Sequence, residues 1–330
     1  LLTKPQTISP AAEFDTERFI RGTQRKIQQH KIHRLVWQSA SVAAVFMIVL
    51  FSVLFTRENR PPESSVVNDV PVAGKTQAVL SLPDGRQVAL GNEKEQDTAW
   101  MKYVEACTIE SKATTEPADI KIEVARGGEY KIRLEDGTTV WLNSESSLIY
   151  PEKFTGDKRA VRLSGEGYFE VARDEKKPFI VSVTDMEIKV LGTKFNVTAY
   201  QDEKMTTTTL ISGAVEVVTP HRSVQLQPGK QAMVQEGGDD ITVLEVDVEL
   251  ATSWTAGIFK FDKMALTDIC TRLSRWYDID FVFEGETGKE KFTGGTWKYV
   301  PLKDFLSKIE RVTNVLFLFE NNTVKVVPKK

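Results

Sequence analysis

A single transmembrane helix, a mainly-β portion and a C-terminal α+β domain of two strand-helix-strand repeats make up the fold class that the sequence predicts. Three patterns predict it: an uncharged run at 35–56, short alternating segments broken by Asp-Gly from Val72 onward, and a 36-residue duplication near the C-terminus.

The first 34 residues carry seven Lys/Arg against three Asp/Glu, so a chain of net charge −3 has a basic start and an acidic remainder. An acidic body argues against direct nucleic-acid binding. Ser9-Pro10 reads as an N-cap followed by proline at the first helical position, and Glu13 to Ile32 has helical composition without a clean apolar stripe. The chain opens on Leu1 rather than Met, and the expectation is that a start is missing.

Between Arg34 and Arg57 lie 22 uncharged residues, LVWQSASVAAVFMIVLFSVLFT. As a helix they reach about 33 Å, matching a hydrocarbon core of about 30 Å. Arg25, Lys26, Lys31 and Arg34 flank one end, whereas Arg57 and Arg60 at the other are offset by Glu58 and Glu63. The positive-inside rule then puts residues 1–34 in the cytoplasm and everything after 56 outside it. Residues 57–71, with two prolines, serines and charges, read as an exposed linker.

Residues 72–250 form the expected β-rich domain. Pro83-Asp84-Gly85 separates AVLSL from QVAL and Asp136-Gly137 separates YKIRL from TVWL, each a hairpin in which glycine takes positive φ. The two stretches align at an offset of 52 residues, which predicts a repeated hairpin. Alternation in RAVRLSGEGYFEV, FIVSV, MEIKVLGTKFNVTAY, TTTTLISGAVEV, SVQLQPGKQAMV and ITVLEV indicates strands buried on one side, compatible with a roll, sandwich or solenoid. Ser164-Gly165-Glu166-Gly167 has the look of a hairpin.

Residues 257–328 repeat on themselves. MALTDICT (264–271) matches VPLKDFLS (300–307), and YDIDFVF (277–283) matches TNVLFLF (313–319). Leu266, Ile269, Cys270, Leu273, Trp276 and Tyr277 fall at helical spacing, as do Leu302, Phe305, Leu306 and Ile309. Each helix is flanked by short strands, and Asn321-Asn322 turns a last hairpin into Val324–Val327.

Chemistry is sparse. His30 and His33 precede the apolar run and His221 follows a proline in a turn, so no histidine pair can bind zinc beyond the span. No nucleophile elbow, phosphate loop, zincin helix or Cys-x-x-Cys occurs, so no enzyme and no cofactor is expected. Glu166 and Glu170 share a strand face, where a hydrogen-bonded role is favoured over a catalytic carboxylate pair. Cys107 and Cys270 fall in different domains and read as two unpaired thiols. The Asn-x-Thr sequons at Asn196 and Asn321 read as chance. Of the aromatic cluster Trp276, Tyr277, Phe281 and Phe283, most is core by spacing, with a few rings left for a partner surface.

The runs LEDGTTVWLNSESSLIYP, RAVRLSGEGYFEVARDEKKPFIV, VLGTKFNVTAY and LISGAVEV, in that order within 128–218, resemble the FecR-type anti-sigma regulators of bacterial envelopes. FKFDKMALTDICTRLSRWYDIDFVF and the later FTGGTW are similar to the C-terminal domain that accompanies this family, itself similar to the signalling domains of secretins and TonB-dependent receptors. The resemblance implies an inner-membrane protein whose cytoplasmic region binds an extracytoplasmic-function sigma factor. It implies too that the periplasmic region reads a TonB-dependent outer-membrane transducer, with membrane proteases acting on relatives. The cytoplasmic region of such proteins is usually longer than 34 residues; here only a piece like its last helix, EFDTERFIRGTQRKIQQHK, is present. Phe14, Phe19, Ile20 and Ile27 are the residues assigned to sigma binding on this basis, and Trp276, Tyr277, Phe281 and Trp297 those assigned to the transducer. The alternative reading is an envelope-anchored protein that binds glycans or peptides, its tail only an anchor.

Overall fold

The computed structural model describes residues 73–91, 119–184 and 186–329. The expected cytoplasmic tail, the 35–56 span, the 57–71 linker and Cys107 lie outside them. Among the described residues no helix is long and apolar enough to cross a membrane.

Strands dominate, with few helices. Among the described residues sixteen strands join in one continuous sheet that folds into two facing layers. In the first layer β2 (Ala78–Ser81) lies between β3 (Gln87–Leu90) and β4 (Asp119–Val124), and β4 pairs with β7 (Ser146–Pro151). It continues through β8 (Arg159–Glu170), β9 (Phe179–Val183), β10 (Met186–Val190), β13 (Val215–Val218) and β14 (Ser223–Leu226). The second layer runs β1 (Lys75–Thr76), β5 (Gly128–Arg133), β6 (Thr139–Leu142), β8 again, β11 (Lys194–Ala199), β12 (Met205–Ser212), β15 (Lys230–Gln235) and β16 (Ile241–Glu245). Successive hairpins alternate between the layers, so the chain winds as a coil and closes as a sandwich.

Both Asp-Gly turns close hairpins, with the same geometry. Leu82 and Leu134 each accept from the glycine three residues on, and Gly85 and Gly137 stand at φ +84° and +85°. Asp84 and Asp136 each accept from the backbone N–H two residues on. They differ in surroundings: Asp84 pairs with Arg86 at the surface, while Asp136 meets the buried Arg159 at 2.8 Å.

The segment 164–167 is no hairpin. It lies within the 12-residue β8, whose first half pairs with β7 and β9 and whose second half pairs with β6 and β11. The strand changes layer at Gly165, φ +90°, where an added Cβ would sit 2.3 Å from Ser146 Oγ and 2.7 Å from the Glu145 carbonyl. Only glycine fits that bend. The core lies between the layers, with Phe169 and Phe195 stacked at 5.0 Å and Phe179 against Phe169.

After β16 come a short helix α1 (Val248–Thr252), N-capped by Asp247, and a 3₁₀ turn Ser253–Ala256 ending on Gly257 at φ +74°. The duplicated module then unfolds as read: β17 (Ile258–Ala265), α2 (Leu266–Tyr277) and β18 (Asp280–Phe283), followed by β19 (Lys291–Trp297), α3 (Leu302–Val312) and β20 (Val315–Glu320). A two-residue Asn321-Asn322 loop leads into β21 (Thr323–Pro328). Equivalent strands of the two repeats play equivalent parts. The leading strands β17 and β19 pair with each other, and the trailing strands β18 and β20 flank β21. Every apolar position assigned to the faces of the two helices is buried in a second core.

Candidate functional site

Two hydrophobic cores meet where the end of α2 and the segment after β19 press on one end of the β sandwich. The meeting is built from three cations that reach across it in both directions.

Arg275, in the last turn of α2, points out of its own module into the sandwich and is 4% exposed. Its guanidinium donates to Glu203 at 2.5 Å and Asp202 at 2.6 Å, both in the turn after β11, and lies 3.6 Å from the Tyr200 ring centroid. Nε is 3.3 Å from Glu145 Oε2, off the hydrogen-bond direction, so that contact is an ion pair alone. Tyr200 donates to the Ser144 carbonyl, and burial pushes its phenol well above the usual range.

Arg126, in the turn between β4 and β5, reaches the other way. It donates to the Ser274 and Ile279 carbonyls at 3.0 and 2.7 Å and pairs with Asp278 and Asp280. A cation on the last carbonyls of a helix satisfies acceptors that the helix cannot and complements its dipole. α2 ends there on Asp278 at φ +49°.

Lys298, fully buried, follows β19. Its ammonium donates to Glu129 at 2.7 Å and sits 3.7 Å from the Trp276 ring centroid, while its carbonyl accepts from Trp276 Nε1 and Tyr277 Oη. Burial pulls the Lys298 pKa down, opposed by Glu129. Tyr299 donates to the other oxygen of Glu129; burial first, and then that carboxylate, hold its phenol up.

Beside these contacts a cavity of about 230 Å³ is lined by residues of both parts, among them Glu166, Asn196, Trp254 and Arg275. Glu166 accepts from Asn143, Asn196 and Thr198, and Asn196 accepts from Trp254 Nε1. Glu166 is thus a hydrogen-bonded carboxylate, and Glu170 pairs with Lys194 at the surface. Asn196 is 2% exposed, so its sequon is closed to modification. Cys270 is a free, buried thiol whose pKa burial raises, and His221 is an exposed turn residue.

The structure separates the residues assigned to the transducer. Trp276 and Tyr277, 1% and 2% exposed, are core residues and offer no ring to a partner, which corrects their assignment. Their indole N–H and hydroxyl are used internally, which lets such rings bury completely. Phe281 is half-buried against the same core, and Trp297 is exposed on β19. Phe14, Phe19, Ile20 and Ile27 lie outside the described residues. Arg126, Arg275 and Lys298 went unrecognised in the sequence.

On a different sheet from Trp297 the module presents further apolar surface. Val282, Leu316 and Leu318 are exposed on the outer face of the β18-β21-β20 sheet, with Val282 and Leu318 flanking Lys325 in register. β18 and β20 are its two edges, and on β20 the outward N–H of Phe317 is already taken by Glu310 Oε1.

The fold is thus a two-layer β sandwich with a duplicated strand-helix-strand module docked on its end. The family model described as "FecR protein" matches residues 120–216, and "FecR, C-terminal" matches 258–326. The chain belongs to the FecR family. It is similar to a protein solved as a "putative anti-sigma factor from Parabacteroides distasonis ATCC 8503" in crystal structures at 1.65 and 2.50 Å resolution. Each match has 30% identity and a TM-score of 0.60, covering 64% of this chain and 99% or 100% of the other. A comparison with curated proteins gives no match. Family and structural neighbour together support an anti-sigma role, and with it a sigma factor as partner.

Proposed function

We propose that this protein is a single-pass inner-membrane anti-sigma factor. On this reading residues 1–34 contact an extracytoplasmic-function sigma factor, 35–56 span the bilayer, and the region after 72 reads a TonB-dependent outer-membrane receptor. The observation that carries the reading is the order along one chain: a basic segment, 22 uncharged residues, then the two FecR regions. Proteolysis at 57–71 fits as the step that ends sigma-factor retention, and fragment mapping after induction that finds this linker uncut would remove it.

The test is capture of a sigma factor by the complete protein in detergent, lost when residues 1–34 are deleted. Truncation after Val248 should retain that capture and abolish the response to the receptor. Retained capture without 1–34 would move the sigma-factor contact to another part of the chain, and no capture by the complete protein would return the chain to an envelope-anchored glycan or peptide binder. The junction cavity lends that alternative little weight, because Glu166 in its wall is already occupied by Asn143, Asn196 and Thr198, and Glu203 by Arg275.

A further inference from the structure

The first described residues of the chain are held by both modules at once. Lys75 N–H donates to the Gly127 carbonyl and Gln77 N–H to the Glu129 carbonyl, so the two-residue β1 pairs with the start of β5. One residue earlier, Gly74 lies flat on the Trp276 indole: an added Cβ would stand 2.6–2.8 Å from three ring carbons. Ala73 packs against the core of the C-terminal module and not that of the sandwich. The two attachments share a residue. Gly127 N–H donates to the Arg275 carbonyl at 2.7 Å, while Gly127 C=O accepts from Lys75.

A two-residue strand has little stability of its own. Its hydrogen bonds run to Gly127 and Glu129, the residues that the module fixes through Arg275, Lys298 and Tyr299. Removing the module would take away Trp276, the floor under Gly74, and unlock both carbonyl acceptors of the clip. β2, immediately after it, is anchored independently between β3 and β4 in the first layer. The boundary between what opens and what stays therefore falls between Gln77 and Ala78.

We propose that Ala73–Gln77 is a clip that the docked C-terminal module holds shut, so that undocking releases these residues and lengthens the chain that precedes the sandwich. Five residues passing from held to extended add up to about 17 Å of reach. The clip thereby converts a change at the C-terminal module into slack at the other end of the folded unit. That slack falls toward the membrane only if the span proposed above is right; the clip itself does not depend on it.

The experiment is hydrogen exchange on the full chain in detergent, comparing wild type with Gly74→Val and with the double variant Arg275→Ala, Lys298→Met. Wild type should protect the Lys75, Gln77 and Gly127 amides. The double variant should raise exchange at all three together by about tenfold or more, with Leu80 and Ile122 unchanged. Gly74→Val should free Lys75 and Gln77 while Gly127 stays protected. The proposal is overturned if Lys75 and Gln77 keep their protection when Gly127 loses its own. It is equally overturned if Gly127 stays protected in the double variant, or if the clip already exchanges freely in wild type. Sigma-factor capture on the same preparations reports on the proposed function separately.

Discussion

Replacing Arg275 by alanine is the most direct test of how the two modules are held together. The side chain is 5% exposed and donates at 2.5 and 2.6 Å to two carboxylates, with a third at 3.3 Å and a ring face beneath it. A charge-assisted hydrogen bond contributes about 1.5–3 kcal/mol, and a desolvated cation–π contact about 2 kcal/mol. Those values do not simply add, because the carboxylates are unequally placed: Glu203 is 34% exposed, Glu145 49% and Asp202 64%. Water can rehydrate Asp202 and Glu145 once the guanidinium is gone, so the full penalty of an abandoned buried charge does not apply. The expected loss is about 2–4 kcal/mol, or roughly 8–32 °C in Tm for a module of this size. Because the module has its own core, the loss should appear as a separate, earlier transition of residues 258–328, with the sandwich melting near its wild-type temperature. Differential scanning calorimetry with hydrogen exchange on the α2 amides checks this. A Tm change under about 2 °C, or a single transition in which both cores melt together, would refute the account of the junction.

Gly165→Ala meets both positive φ and a 2.3 Å overlap with Ser146 Oγ, so it should cost about 3 kcal/mol or more. Gly85→Ala, at φ +84° with open space around it, should cost about 1 kcal/mol, and urea midpoints showing equal losses would contradict this. Glu166→Gln points an amide donor at Asn143 or Asn196, which already donate there; the expected loss is about 1–3 kcal/mol with altered Trp254 fluorescence, and an unchanged midpoint would sink it. Burial raises the Tyr200, Tyr277 and Tyr299 pKa values, so these phenols keep their protons in the fold while the unfolded chain loses them from about pH 10. Their stabilisation is complete below about pH 10 and falls as pH rises toward the folded-state values, so denaturant midpoints should drop above it, less steeply in Tyr277→Phe; a flat profile would disprove this.

The parts of this fold that were legible in the sequence are those in which local chemistry and tertiary packing agree. Asp136-Gly137 announces a turn because glycine accepts positive φ and aspartate bonds the backbone two residues on, and both hold in the structure. Leu302, Phe305, Leu306 and Ile309 announce a helix face because their spacing matches the face that is buried. Gly165 was illegible because a glycine between two short alternating runs looks the same whether the chain reverses or changes layer. The deciding contact, with Ser146, comes from another strand. The junction was illegible for a stronger reason. Arginine and lysine are usually solvated, so Arg275 next to Trp276 reads as the wet side of an amphipathic helix. Its partners Asp202 and Glu203 are 72 and more residues away, in a loop with no pattern of its own. For the same reason Trp276 and Tyr277, though on the apolar helix face, also read as transducer contacts, since nothing local shows that the Lys298 carbonyl satisfies both.

A junction built on charges differs in kind from one built on an apolar seam of the same size. When an apolar seam opens, its whole area returns to water and nothing offsets the cost. When this junction opens, the Arg275 guanidinium and Lys298 ammonium regain the hydration that burial took from them, and Glu203 and Glu129 regain theirs. What is lost without compensation is confined to a few rings, chiefly Trp276 against Gly74 and Lys298, and Trp254 against Asn196. The closed form is therefore specific, since each guanidinium has its own partners, yet the free-energy gap to an open form is smaller than the number of contacts suggests. An element with two discrete arrangements and a modest gap is what a partner can switch, by preferring one of them. In the undocking proposed above, the strength of the contacts fixes the docked arrangement and their polarity lowers the cost of leaving it.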